Sequence, residues 1–285
     1  MQRITSVEEW RRYANDQRNE GRTVGLVPTM GALHAGHTSL FTRARQNGDV
    51  VLATVFVNPR QFNDPADLGA YPRTPEADVV TAERHGVDCL VEPTLAEMWP
   101  AYPGPTQTTV SVRAISETLE GAGRPGHFDG VASVVAKLFA ISGPCRAYFG
   151  EKDFQQLAVV RQMVRDLAFD VEVVACPIVR DADGLALSSR NVLLSPSMRE
   201  RALGLSRALR ATEASATPAS VMRQTMLAVL EQSGLEVAYA DVVDPITLVP
   251  SRDDESGPRR ALVAGLVDGV RLIDNASVTL QAKED

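Results

Sequence analysis

The sequence predicts an α/β protein: a parallel sheet covered by helices on both faces, followed by a smaller α+β domain. Near-continuous apolar runs alternate with helix-length segments through the first two thirds of the chain, as strands buried on both faces do. From Pro196 onward the order changes to two helical stretches and then three strand-like runs. Asp268-Gly269, between the last two runs, is a hairpin turn signal that makes the smaller sheet antiparallel.

Residues 22–28 read as a short buried strand entering a glycine-rich turn, and residues 50–57 as the next strand. Between them, residues 36–47 have room for about three helical turns, which is β-α-β spacing. A helix over 75–85 has Pro75 in its first turn, where a missing N–H costs nothing. A strand at 87–91, a helix at 130–141 and a brief strand at 147–149 follow, the last ending at Gly150. The next helix spans 153–167, with Asp153 placed to cap it, and the next strand 171–175. Helices at 197–213 and 218–233 precede strands at 236–243, 260–267 and 270–272, with a charged loop over 251–259. The domain boundary falls between Val179 and Ser195, dividing the chain into 1–185 and 186–285.

The composition fits such a fold and narrows its uses. At 285 residues, with 44% hydrophobic and 23% charged side chains, the chain buries a sizeable core without disulfides or a structural metal. A formal net charge of -7 argues against a general nucleic-acid binder, while leaving room for a local basic pocket that holds phosphates. Lysine occurs only as Lys137, Lys152 and Lys283; the other basic residues are arginines. Cys89, Cys145 and Cys176 form no C-x-x-C pair and read as small buried thiols, so a reducing, cytoplasmic compartment is expected. Arg3, Glu8 and Glu9 interrupt the N-terminus before any secretion-signal pattern, and no run approaches the roughly 18 apolar residues of a membrane helix.

The most informative segment is Pro28-Thr29-Met30-Gly31-Ala32-Leu33-His34-Ala35-Gly36-His37, where a strand hands over to a helix. In an open parallel sheet this junction lies at the carboxyl edge, where ligands bind. The opening turn of the helix offers unpaired N–H groups and a positive dipole end. Gly36 lets a flat ring or a phosphate approach the backbone with no Cβ in the way. Imidazoles there can donate to phosphate oxygens, and the dipole disfavours a permanent positive charge on them. Two other readings stay open on the local pattern. His34 and His37 could be metal ligands on one helical face, although no third ligand is evident nearby, or satisfied structural histidines in a turn. The segment is neither a P-loop nor G-x-G-x-x-G.

His34-Ala35-Gly36-His37 resembles the HxGH signature of adenylate-forming nucleotidyltransferases, and the whole string from Pro28 to His37 is similar to that of the pantothenate synthetase (pantoate–β-alanine ligase) family. HxGH alone indicates only the superfamily; three more segments specify the family. Phe56-Val57-Asn58-Pro59-Arg60-Gln61-Phe62 resembles its FVNPxQF, and Gly150-Glu151-Lys152-Asp153-Phe154-Gln155-Gln156 its GEKDxQQ. Leu187-Ser188-Ser189-Arg190-Asn191 resembles its MSSRN, with Leu187 in place of the usual methionine. Tyr71-Pro72-Arg73-Thr74-Pro75 and Arg124-Pro125-Gly126-His127-Phe128-Asp129-Gly130 also look like family loops, and the motifs keep their order. Taken without the resemblance, Gln61 reads as a turn-stabilising amide, Asn58 as a brace before Pro59 and Lys152 as half of a surface ion pair. His127 reads as a packed loop histidine, and the Ser-Ser-Arg-Asn run as a polar interdomain linker.

The resemblance implies a Rossmann-like nucleotidyltransferase domain with a C-terminal α+β lid. It implies condensation of pantoate with β-alanine, driven by ATP through an enzyme-bound pantoyl adenylate. The ATP-binding residues it implies are Met30, Gly31, Ala32, Leu33, His34, Ala35, Gly36 and His37; Gly150, Glu151, Lys152 and Asp153; and Val179, Leu187, Ser188, Ser189 and Arg190. Gln61 and Gln156 are implied to hold pantoate, and His34, His37, Lys152 and Arg190 to act in catalysis, with Ser188 and Ser189 beside them at the phosphates. No protein metal ligand is assigned: Ala77 beside Asp78 departs from an acidic pair carried by some family members, so Mg2+ is expected chiefly through the ATP phosphates. A homodimer is expected, with no nucleic-acid or membrane partner.

Overall fold

Strand β1 (Gln2–Ile4) and helix α1 (Val7–Asn19) open the chain, ahead of the first expected strand. The computed structural model describes residues 1–213 and 216–283. After α1 come β2 (Val24–Thr29), α2 (Ala35–Gln46), β3 (Val50–Val55), α3 (Pro65–Ala70), α4 (Pro75–Arg84), β4 (Cys89–Val91) and two single-turn helices, α5 (Leu95–Met98) and α6 (Glu120–Gly123). The long helix α7 (His127–Ser142), β5 (Cys145–Gly150), α8 (Phe154–Asp166) and β6 (Val171–Cys176) complete the first sheet. Helix α1 was not expected because its residues are mostly polar. Its signal is the buried stripe Trp10, Ala14 and Gln17, and Ser6 caps it by accepting from the Glu8 and Glu9 amides.

The six strands are all parallel and run in the order β1-β4-β3-β2-β5-β6. Successive residues face opposite sides. Val24, Leu26, Leu52, Cys89, Val91, Ala147 and Phe149 pack on one face with residues of α1, α7 and α8. Val27, Val51, Ala53, Leu90 and Tyr148 pack on the other with Leu40, Phe41 and Ala44 of α2 and Ala82 of α4. Burial of this kind holds the sheet. Leu26, Leu52 and Leu90 are fully buried, each contributing roughly 1.5–3 kcal/mol. The Arg3–Glu92 ion pair, with its arginine side chain 57% exposed, contributes about 0–1 kcal/mol.

The chain order reverses at β2, which pairs with β3 on one side and β5 on the other. The crevice beyond the carboxyl ends of β2 and β5 is therefore the topological switch point, where open α/β sheets bind ligands.

The C-terminal part contains α9 (Pro196–Glu213), α10 (Ala219–Gln232), β7 (Glu236–Val243), β8 (Gly257–Val267) and β9 (Val270–Leu280). The strands form an antiparallel sheet in the order β7-β8-β9. Asp268 and Gly269 both take positive φ, 48° and 83°, as the two-residue hairpin requires. Leu205, Leu209, Met222 and Met226 of the helices pack on Val242, Ala261 and Val263 of this sheet. Leu262 and Val243, on its opposite face, join the core of the first sheet.

Several boundaries differ from the sequence reading, two of them in the smaller sheet. Residues 257–259, placed in a loop, begin β8. Strand β9 continues eight residues beyond the expected end at Leu272, because Leu272, Ala276, Val278 and Leu280 keep an inward alternation that the polar pair Asp274-Asn275 interrupts only in sequence.

Candidate active site

A cavity of about 250 Å3 opens at the switch point. It is lined from β2 and the turn after it by Thr29, Met30, His34, Gly36 and His37. From β5 and the turn after it come Gly150, Lys152, Asp153 and Gln156. Gln61 follows β3; Val179, Leu187, Ser188, Ser189 and Arg190 enter from the segment after β6. Lys152 and His37 thus face one shared cleft although they lie on different elements.

The turn before α2 is held in an unusual shape. Gly31 and Ala32 both take positive φ, 81° and 49°, a conformation that a Cβ makes costly. Asp78, buried on α4, offsets this strain: its carboxylate accepts from the Ala32 amide at 3.0 Å, the Leu33 amide at 2.8 Å and the Thr74 hydroxyl at 3.0 Å. A Cβ on Gly31 would sit 2.9 Å from the Asp78 Oδ2. Gly31, Ala32, Leu33 and Ala35 thus shape the turn from behind, and are not on the cavity wall.

His34 caps α2. Its Nδ1 accepts from the Gly36 amide at 3.1 Å, and its own amide donates to Nδ1 of His37 at 3.3 Å. The rings lie 4.1 Å apart. With each Nδ1 accepting, both imidazoles are neutral and carry hydrogen on Nε2. Burial, reinforced by the nearby Lys152 charge, lowers the pKa of His34. Burial and His34 push His37 down to about 3. Gly36 serves its neighbour first: a Cβ there would meet the His34 ring at 2.8 Å.

Gln61 is both braced and exposed to the cavity. Its Oε1 accepts from Asn58 Nδ2 at 3.1 Å, and its backbone carbonyl accepts from His127 Nδ1 at 2.7 Å. Asn58 also takes the Trp99 indole N–H at 2.9 Å, so it braces the turn as its position before Pro59 suggested. His127 is buried, and its Nε2 accepts from Arg124 at 3.2 Å. Burial and the Arg124 charge push its pKa down to about 4.

Lys152 points into the cavity, with Asp153 Oδ1 3.5 Å from its Nζ. Asp153 does not cap α8 through its side chain, as expected from sequence; its carboxylate faces the cavity instead. The Glu151 side chain is turned away from the cavity, accepting from Arg260 of β8 at 3.1 Å. Ser188 caps the turn at Ser189–Leu193 by accepting from the Arg190 amide, and Ser189 donates to the Ala32 carbonyl at 3.4 Å. Leu187 packs on the wall beside Gly36, an apolar role that methionine would fill equally. Arg190 donates to Asp67 and lies 5.9 Å over the Tyr71 ring.

Contributors missed in sequence include Asp78 as a brace, and Pro177, Ile178, Leu40, Val134, Leu138 and Tyr148 as wall. A carboxylate in the first turn of a helix gives no sign of which distant amides it will meet. The three cysteines are buried, and burial pushes Cys89 and Cys145 up to about 12 and Cys176 to about 11, so none is a nucleophile. No described helix is long and apolar enough to cross a membrane.

This arrangement fits a nucleoside triphosphate beside a small polar acid. Comparison with known proteins agrees. The pantoate–β-alanine ligase family model matches residues 2–277. A pantothenate synthetase of Acidobacterium capsulatum is 51% identical, over 96% of each chain. One from Cereibacter sphaeroides is 50% identical, over 96% of this chain and 99% of its own. The crystal structure of pantothenate synthetase from Thermus thermophilus superposes with a TM-score of 0.88 at 44% identity, covering 97% of this chain and 99% of the other. A pantoate–β-alanine ligase from Francisella tularensis, complexed with beta-gamma ATP and β-alanine, gives 0.80 at 32% identity and 97% coverage of both. The chain belongs to the pantoate–β-alanine ligase family.

Proposed function

We infer that this chain condenses pantoate with β-alanine, using ATP and releasing AMP and pyrophosphate through a bound pantoyl adenylate. The observation that carries this reading is the single cleft in which His34, His37 and Lys152 meet Gln61 and Gln156. The first group suits phosphates, and the two amides suit a hydroxy acid.

A carboxylate resists amine attack because oxide is a poor leaving group. In the first step a pantoate carboxylate oxygen attacks the α-phosphorus of ATP, and the bond to the bridging oxygen of pyrophosphate breaks. In the second, the β-alanine nitrogen attacks the acyl carbon, the bond to AMP breaks, and the amine loses a proton. Neither step needs a protein nucleophile. The chain contributes alignment and charge stabilisation. Neutral His34 and His37 donate through Nε2 to phosphate oxygens, a role their low pKa favours over proton donation from an imidazolium. Lys152 sits against the α-phosphate as charge moves onto pyrophosphate, and Arg190, Ser188 and Ser189 take the outer phosphates. Gln61 and Gln156 orient pantoate.

Magnesium accompanies ATP and is held chiefly by phosphate oxygens, which are hard ligands. The Asp78 carboxylate is already engaged by two amides and a hydroxyl. Residues 186–285 act as a lid that limits water reaching the acyl adenylate. The working assembly is a cytoplasmic homodimer.

Mass spectrometry after incubation with ATP, magnesium, pantoate and β-alanine tests the reaction: pantothenate and AMP should appear together. Omitting the amine should leave pantoyl adenylate on the protein. Absence of both products would reject the reading.

A further inference from the structure

A buried amide of the C-terminal sheet holds the backbone of the Lys152 turn. Asn275, on β9, gives one Nδ2 hydrogen to the carbonyl of Glu151 at 3.0 Å and the other to the carbonyl of Lys152 at 2.9 Å. Its Oδ1 accepts from Arg260 Nε at 2.6 Å, which fixes which end of the amide faces the carbonyls. Arg260 is itself immobilised, donating to Ser277 Oγ at 2.9 Å and to Glu151 Oε2 at 3.1 Å and lying 4.3 Å over the Phe154 ring. Adjacent Asp274 accepts from both terminal nitrogens of Arg180, at 2.6 and 3.0 Å. Arg180 begins the segment that runs on to Leu187 and Arg190. One dipeptide of β9 therefore grips the Lys152 turn and the other cavity segment together.

Packing alone does not call for this. Asn275 is 2% exposed, and an apolar side chain of the same size would fill its site but leave Arg260 Nε and the two carbonyls without these partners. What the amide adds is a fixed backbone at the residue whose ammonium enters the cleft.

Resting on the function inferred above, we propose that Asn275, oriented by Arg260, is a positioning residue for Lys152. The C-terminal sheet thereby sets the catalytic geometry as well as covering the cleft. It holds the Lys152 backbone while the side chain follows the moving charge; it touches no reacting atom. Its loss lets the ammonium wander from the α-phosphate, lowering kcat more than substrate affinity.

Asn275→Asp tests this at constant volume. It keeps the acceptor for Arg260 but turns an oxygen toward two carbonyls. The expected result is a folded protein whose kcat for pyrophosphate exchange falls roughly 10–100-fold. KM for ATP and for pantoate should change less than about threefold. If Asn275→Asp does not fold, Arg260→Lys decides: it removes the Nε donor and should lower kcat in the same direction. A folded variant of either kind with wild-type kcat, or with KM rising as much as kcat falls, overturns the positioning role. Wild-type protein that makes no pantothenate would instead reject the underlying function.

Discussion

The Arg190 guanidinium donates to both carboxylate oxygens of Asp67, at 3.1 and 3.0 Å, so the arginine expected at the phosphates is paired with helix α3 before any nucleotide arrives. Both side chains are about a third exposed, so the pair is worth about 0–1 kcal/mol. That is weak enough for a triphosphate to displace.

Asp67→Asn should release Arg190 and lower KM for ATP by roughly two- to fivefold, with little effect on folding. Steady-state kinetics against ATP would show it. A KM that is unchanged or higher would mean that Asp67 holds Arg190 where it is needed.

Asp78 holds the left-handed turn through buried bonds to two amides. Asp78→Ala should cost roughly 2–4 kcal/mol, since it strands the Ala32 and Leu33 donors and releases the turn. Denaturant titration measures the loss, and ATP affinity should fall with it. Stability within about 0.5 kcal/mol of wild type would show that the turn supports itself.

Direct contacts to phosphate should appear in kcat. His37→Ala or Lys152→Ala should each reduce kcat roughly 10²–10³-fold while the protein stays folded. Normal adenylation rates in either purified variant would remove that residue from the mechanism.

His127 links pH to the part of the cleft around Gln61, whose carbonyl it holds. Its folded pKa, about 4, lies below the ordinary 6.5, so the unfolded chain takes up the proton first as pH falls. Its contribution is complete above pH 6.5 and is lost between about 6.5 and 4. Wild-type stability should drop through that window by on the order of 1–3 kcal/mol more than that of His127→Gln. Parallel stability–pH curves for the two proteins would contradict the assignment.

Closure should register in the backbone. Hydrogen exchange across residues 187–191 should slow when ATP and pantoate bind. Unchanged exchange there would leave the lid role without support.

The amino-acid order by itself determined the parallel sheet, because strands buried on both faces must be apolar throughout and that shows in sequence. The cleft segments were legible through their resemblance to family motifs; taken alone, Lys152 read as half of a surface ion pair and residues 188–191 as a polar linker. Only the tertiary structure decided how those segments are held. Asp78 finds its amides across 46 and 45 positions, and Asn275 its carbonyls across 124 and 123, separations at which no local pattern carries information. Strand β9 was cut short in the sequence reading at the polar pair that reaches back to Lys152 and Arg180. A polar residue in an inward row breaks the periodicity by which a strand is recognised, and only the partner that satisfies it explains why it is there.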